Sequence, residues 1–253
     1  MKTIDINCDL GEGETAADLA RDAQIMRFIS RCNIACGGHA GNATTMALSL
    51  ENALNNKLAA GAHPGYPDRE NFGRVSLPIE HGQLLDSIWE QIQRLETEAG
   101  RMQIALSHIK LHGALYNDAE ANDQLAKVLV DFIHKEFPHL QILGLANAAM
   151  ERAAKKLNHP FLREGFMDRR YLNAHRLSPR SMPGAVIEEF DQCLQQVLAL
   201  ASGATFGDID NTPLQFSVDS ICLHGDTPGA ERTARKLQQA LRQAGFKLGP
   251  SAS

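Results

Sequence analysis

The 253-residue sequence has no run near the ~20 apolar residues that a membrane-crossing helix needs. Met1-Lys2 leads directly into alternating Ile4, Ile6 and Leu10, without the apolar core of a signal peptide. Both absences point to a cytoplasmic protein with no membrane partner. The five cysteines, Cys8, Cys32, Cys36, Cys193 and Cys222, include no CxxC pair and sit mostly among apolar neighbours, which argues against a disulfide scaffold and for buried, reduced thiols. Basic charge is not in surplus: 25 Lys and Arg stand against 30 Asp and Glu, a net charge of -5, which disfavours a broad nucleic-acid-binding surface. No GxGxxG fingerprint, Walker-type phosphate loop or HExxH pair occurs, and without a GxSxG elbow covalent acyl-enzyme chemistry is a poor fit.

What is present is an ordinary globular composition, 43% hydrophobic and 22% charged, with no low-complexity linker, and it reads as a single domain over residues 1–253. Short apolar runs alternate with longer segments of helical period, the pattern of about seven βα units and a mainly parallel sheet. The spacing predicts strands near Thr3–Leu10, Asn33–Gly37, Ala59–Ala62, Ala105–Leu111, Gln141–Ala146, Phe161–Phe166 and Phe216–Leu223. Apolar residues at helical spacing, Leu125, Val128, Leu129, Phe132 and Ile133 in one segment and Val186, Phe190, Leu194, Val197 and Leu198 in another, provide faces to cover it. Thr227-Pro228 reads as a helix start, and Gly100, Gly203 and Gly245 read as helix ends. The segments Gly65–Pro78 and Tyr171–Pro183 read as long loops rimming a site. Periodicity does not separate an open sheet from a barrel. Reactive residues after nearly every strand favour a barrel, whose strand ends all open on one face.

Four histidines, His39, His63, His112 and His224, follow four different strands, each with glycine beside it or within two residues. One histidine at a strand end is more often structural than catalytic. Four in equivalent places, with Asp9 and Asp226 from the first and last strands, favour at least one catalytic or metal-binding pair. Asp9 with two histidines suits a divalent metal, though no short-range ligand spacing supports it, and a role for Asp9 in orienting an imidazole or receiving a proton ranks slightly higher. Lys110 shares a strand face with His112, two residues on, and is either a buried cation in contact with an anion or a surface lysine. Arg169, Arg170 and Arg180 offer paired N–H donors to a carboxylate or phosphate, with one of the first two facing inward. Gly225-Asp226-Thr227-Pro228 places a helix N-terminus, suited to an anion, just after His224.

The ordered set DLGEG at 9–13, NIACGGHAGN at 33–42, GAHPGYPD at 61–68, HGALYN at 112–117, DRRY at 168–171, PRSMPGAV at 179–186 and HGDTPGA at 224–230 closely resembles the LamB/YcsF family of 5-oxoprolinase subunits. The resemblance implies a distorted TIM-like (β/α) barrel related to the polysaccharide deacetylases. It also implies a part in the ATP-dependent opening of 5-oxo-L-proline (pyroglutamate) to L-glutamate, with Mg²⁺ accompanying ATP and two further subunits that resemble allophanate hydrolase. Carried onto this sequence, it implies a site of Asp9, Glu12, His39, His63, Lys110, His112, Asp168, Arg169, His224 and Asp226. Of these, Asp9, His39, His63, Lys110, His112, His224 and Asp226 are expected in catalysis. Glu12, Tyr116, Asn117, Asp168, Arg169 and Arg180 are expected to bind substrate. Cys8, Leu111 and Val75 stand where the family pattern commonly has Ala, Pro and Arg. The competing expectations are an ATP-independent, metal-dependent amide or ester hydrolase and a noncatalytic lactam-binding subunit.

Overall fold

Seven short parallel strands make the frame of the computed structural model, which describes residues 2–225 and 229–250. The strands in chain order are β1 (Thr3–Leu10), β2 (Arg31–Ala35), β3 (Ala59–His63), β4 (His108–Ile109), β5 (Gln141–Leu145), β6 (Phe161–Phe166), the hairpin of β7 (Tyr171–Asn173) and β8 (Arg176–Leu177), the hairpin of β9 (Thr205–Gly207) and β10 (Pro213–Gln215), then β11 (Ser220–Leu223) and β12 (Lys247–Leu248). β1 to β6 pair in sequence order, β6 pairs with β11, and β11 returns to β1, which closes a parallel barrel of seven strands. β12 extends the sheet at the start of β1. The connecting helices are α1 (Ala16–Ile25), α2 (Ala43–Asn56), α3 (His81–Arg101), α4 (Gly113–Ala121), α5 (Asp123–Glu136), α6 (Ala149–Leu157), α7 (Phe190–Ser202) and α8 (Ala230–Gln243). Among the described residues no helix is long and apolar enough to cross a membrane, and all five cysteines are buried and free.

Local chemistry accounts for the boundaries. Thr15 caps α1 in a reciprocal box with Asp18, and Asn42 caps α2 with Thr45. β2 starts two residues before the expected span and ends at Ala35. β4 keeps two ladder residues, yet Ser107 N–H and Lys110 N–H still donate to the carbonyls of Ala60 and Ala62, so extended chain runs on beside β3. β11 begins at Ser220, not Phe216, because Val218 N–H turns to Leu200 O on α7 while Asp219 accepts from Arg163 N–H and Nε. α7 begins at Phe190, since Val186 makes a strand-like bridge with Arg169. Gly203 and Gly245 terminate α7 and α8 with positive φ, whereas Gly100 lies inside the last turn of α3. The expected loop at 171–183 contains the β7–β8 hairpin. Asp226, Thr227 and Pro228 lie outside the described residues.

Side chains alternate along each strand, so one face of the closed sheet packs under helices and the other lines the barrel axis. Ile4, Ile6, Cys8 and Leu10 of β1 belong to the apolar core. Of the opposite parity, Asp5 pairs with Arg31 on the neighbouring β2, while Asn7 reaches Lys110 and Asp9 reaches Lys110 and His63, contacts with non-neighbouring strands that are possible only across the barrel interior. Lys110, after β4, reaches Asn7 and Asp9 on β1 and Glu164 on β6, and His108 reaches Asn33 on β2. The barrel is therefore filled by a polar column, a departure from the usual branched aliphatic filling.

Candidate active site

The column is ordered by the direction of its hydrogen bonds. Arg31 donates from Nε to Asp5 at 2.5 Å and from a terminal nitrogen to His108 Nδ1 at 3.0 Å. A guanidinium has no acceptor, so His108 Nδ1 carries the lone pair and Nε2–H donates to Asn33 Oδ1 at 2.7 Å. The Asn33 amide then donates to Asn7 Oδ1 and, at 2.7 Å, to Asp9 Oδ1. Burial, with Arg31 and Lys110 nearby, pushes His108 well below the ordinary imidazole pKa and keeps it neutral. This chain holds one oxygen of Asp9 and leaves Oδ2 turned to His63 Nε2, 3.4 Å away.

Lys110 is 2% exposed, with Nζ 2.9 Å from Asp9 Oδ1, 2.8 Å from Glu164 Oε1 and 3.3 Å from Cys222 Sγ. Burial alone would lower its pKa, but Asp9, Cys222 and Glu164 outweigh burial and hold it well above the ordinary lysine value. Of the two sequence expectations, the buried cation in contact with anions is the one observed. Asp9 is held well below the ordinary carboxylate pKa despite burial, through His63 and Lys110.

Glu12, His39, His63 and His112 meet at the barrel mouth. His63 Nδ1–H donates to Lys110 O at 2.8 Å, and His112 Nε2–H donates to Phe72 O at 2.9 Å. Their other nitrogens, His63 Nε2 and His112 Nδ1, stand 3.0 Å apart. Glu12 Oε1 is 3.3 Å from His112 Nδ1, 3.9 Å from His63 Nε2 and 3.0 Å from His39 Nε2. Burial drives His39 down to about 4, so it is neutral and donates Nε2–H to Glu12. Gly73, at φ +61°, brings its backbone against this cluster; a Cβ there would lie 2.8 Å from His39 Cβ and 3.0 Å from His112 Cδ2.

A second group flanks the first. His224 Nε2 accepts from Arg180 at 2.8 Å, which fixes Nδ1–H toward the Asp168 carboxylate at 2.8 Å. Burial would raise Asp168, but His224 and Arg180 hold it below its ordinary value. Arg169, 6% exposed, donates to Ser178 O at 2.6 Å, while its buried Nε–H has no partner. A cavity of about 590 Å³ is lined by Asp9, Glu12, His63, Lys110, His112, Tyr116, Asn117, Arg169, Arg180 and His224. The structure thus gathers ten of the thirteen expected site residues around one space. His39 and Asp168 stand behind it, holding Glu12 and His224, and Asp226 is outside the described residues. Two expected substrate contacts are already engaged within the protein: Tyr116 hydroxyl donates to Glu164 at 2.8 Å, and Asn117 donates to Gly113 O in the first turn of α4.

Sequence reasoning missed Asp5, Asn7, Arg31, Asn33, His108, Glu164 and the Phe72 carbonyl. Two alternations carried a signal: Asp5, Asn7 and Asp9 along β1, and His108, Lys110 and His112 leaving β4.

The barrel carries acids, imidazoles and a buried lysine at its mouth, at the strand ends where (β/α) barrels place their active sites. The LamB/YcsF family model matches residues 4–253, and the chain belongs to that family. It is 39% identical over 249 residues to the 5-oxoprolinase A subunit of Chloroflexus aggregans, covering 98% of each chain. The structure of a lactam utilization protein from Thermus thermophilus superposes with a TM-score of 0.90 at 29% identity, over 98% of this chain and 99% of that one. A family 4 carbohydrate esterase from Streptomyces lividans shares the fold at a TM-score of 0.51 and 10% identity, over 98% of this chain and 93% of that one.

Proposed function

We propose that the chain is the A subunit of an ATP-dependent 5-oxoprolinase, opening 5-oxo-L-proline to L-glutamate in the cytoplasm together with two partner subunits of allophanate-hydrolase type. The observation that carries this reading is the shared cavity, whose lining brings Arg169 together with Asp9, His63, Lys110 and His112. Arg169 receives the ring carboxylate through charge-assisted hydrogen bonds. The acid–imidazole group then faces the lactam carbonyl.

A five-membered lactam is a stabilised amide, and ATP, bound with Mg²⁺, activates its oxygen by phosphorylation. Water adds to the ring carbonyl carbon, the C–N bond breaks with the ring nitrogen taking a proton, and a second water hydrolyses the resulting γ-glutamyl phosphate to glutamate and inorganic phosphate. Asp9 Oδ2 receives the proton of the attacking water, and Lys110 offsets charge that develops beside it. His63 and His112, each fixed by a backbone carbonyl, orient that water.

The test is glutamate release from 5-oxo-L-proline by the purified chain, with and without ATP and Mg²⁺, and again with both partner subunits. Turnover restricted to the complete mixture, and lost in Asp9→Asn and His112→Ala with folding intact, supports the reading. ATP-independent release by the chain alone supports a simple hydrolase. Binding without turnover in any mixture supports a lactam-capturing subunit.

A further inference from the structure

The cluster at the barrel mouth holds more acceptors than donors. One N–H of each ring is committed to a backbone carbonyl, so His63 Nε2 and His112 Nδ1 face one another at 3.0 Å, both as lone pairs when the two rings are neutral. Glu12 Oε1 and Asp9 Oδ2, both carboxylate oxygens, close the same space. In that neutral form of the rings two ring nitrogens and two carboxylate oxygens converge with no donor between them, a set that suits a metal cation. Charge agrees: Lys110 offsets one of the three negative charges on Asp9, Glu12 and Glu164, and a divalent ion balances the other two.

Distance agrees as well. Glu12 Oε1, His63 Nε2 and His112 Nδ1 form a triangle with sides of 3.0, 3.3 and 3.9 Å. A point equidistant from its corners lies about 2.0 Å from each, the length of a zinc bond to imidazole or carboxylate. The outer contacts are those of metal ligands: each ligating imidazole donates its remote N–H to a carbonyl, and Glu12 is held by His39.

We infer that Glu12, His63 and His112 form a divalent transition-metal site of zinc type, with His39 orienting Glu12 and the open coordination position facing the cavity beside Asp9 Oδ2. The ligand taken at that position is water or a carbonyl oxygen. On the metal, water loses a proton near neutral pH, and Asp9 Oδ2 is placed to accept it. The inference concerns the cluster alone and holds whichever carbonyl compound enters the cavity.

The test uses the full chain stripped with a chelator and titrated with Co²⁺, read by its visible ligand-field absorption, followed by displacement with Zn²⁺. One Co²⁺ per chain is expected, with an intense low-symmetry spectrum. His63→Gln, His112→Gln and Glu12→Gln are each expected to weaken binding more than 100-fold, and His39→Gln roughly 10-fold or more. His134→Gln, in a histidine pair with His159 away from the site, is expected to leave binding intact. Should the ligand variants misfold, X-ray absorption of the wild-type zinc form decides, with two imidazoles expected in the coordination shell. No stoichiometric binding, binding unchanged in the three ligand variants, or a shell without imidazole overturns the site and leaves a shared proton between His63 and His112. Stoichiometric cobalt in a chain that releases no glutamate with its partners overturns the ring-opening proposal and leaves the metal site standing.

Discussion

The imidazoles of His39 and His112 lie face to face, 3.5 Å between centroids and 3° from parallel, with the Gly73 backbone packed against them. One ring holds Glu12 and the other has its Nδ1 3.3 Å from the same carboxylate oxygen, so the 65–78 loop packs directly on the groups of the candidate site. Gly73→Ala adds a methyl where two imidazoles already stand, at a φ that disfavours a side chain. We expect kcat/KM to fall at least 100-fold with a stability loss of about 1–3 kcal/mol. Steady-state kinetics and urea denaturation of the variant check both, and wild-type kinetics in a folded variant would show the stack to be slack.

Lys110 is the cation between two carboxylates inside the barrel. Lys110→Met strands Asp9 and Glu164 without it, and we expect a loss of about 3–5 kcal/mol in urea unfolding at pH 7. Adding Glu164→Gln to Lys110→Met is expected to recover part of that loss, since one uncompensated charge is then gone. A double variant no more stable than the single one would place the cost in packing.

Burial raises Glu120 to about 8 even though it accepts backbone N–H bonds from Leu145 and Met150. The folded chain therefore retains a proton that the unfolded chain has lost. Its contribution to stability is full below the ordinary glutamate pKa, falls by up to about 1.4 kcal/mol per pH unit as pH rises toward about 8, and is gone above that. Glu120→Gln is expected to flatten this slope. The difference between wild-type and variant urea midpoints at pH 6, 7 and 8 is the measurement, and parallel curves would contradict a protonated Glu120.

Arg169 keeps a buried Nε–H without a hydrogen-bond partner, and the proposed reading assigns its guanidinium to the ligand carboxylate. A charge-assisted bond lost to a neutral replacement costs about 1.5–3 kcal/mol. Arg169→Gln is thus expected to raise KM for the lactam roughly 10- to 100-fold. A fall in kcat at constant KM would place Arg169 in the reaction instead of in carboxylate binding.

The alternation of apolar runs and helical segments made the parallel βα architecture legible, because parallel strands under helices read as short apolar blocks, and the reactive residues after nearly every strand favoured a barrel. The strand ends were legible too, since glycine beside histidine, acid or lysine is an uncommon combination in a strand-to-helix turn. The column beneath them was not. Asp5, Arg31 and His108 are ordinary polar residues until closure of the sheet sets nonadjacent strands face to face, and periodicity contains no information about closure. Lys110 illustrates the gap: its spacing from His112 fixed the face it occupies, while its two carboxylate partners come from β1 and β6. The role of the Phe72 carbonyl was equally hidden, because a backbone oxygen has no sequence signature.

The hydrogen-bonded run from Arg31 through His108 and Asn33 to Asp9 gives this barrel a handle at the end remote from its mouth. Each link admits one orientation only, so a change at Arg31 reverses or frees every dipole above it. Tuning the acidity of Asp9 is thereby open to substitutions that never meet the substrate. A variant selected for altered activity can carry its decisive change on the barrel floor, where inspection of the cavity walls would pass it over.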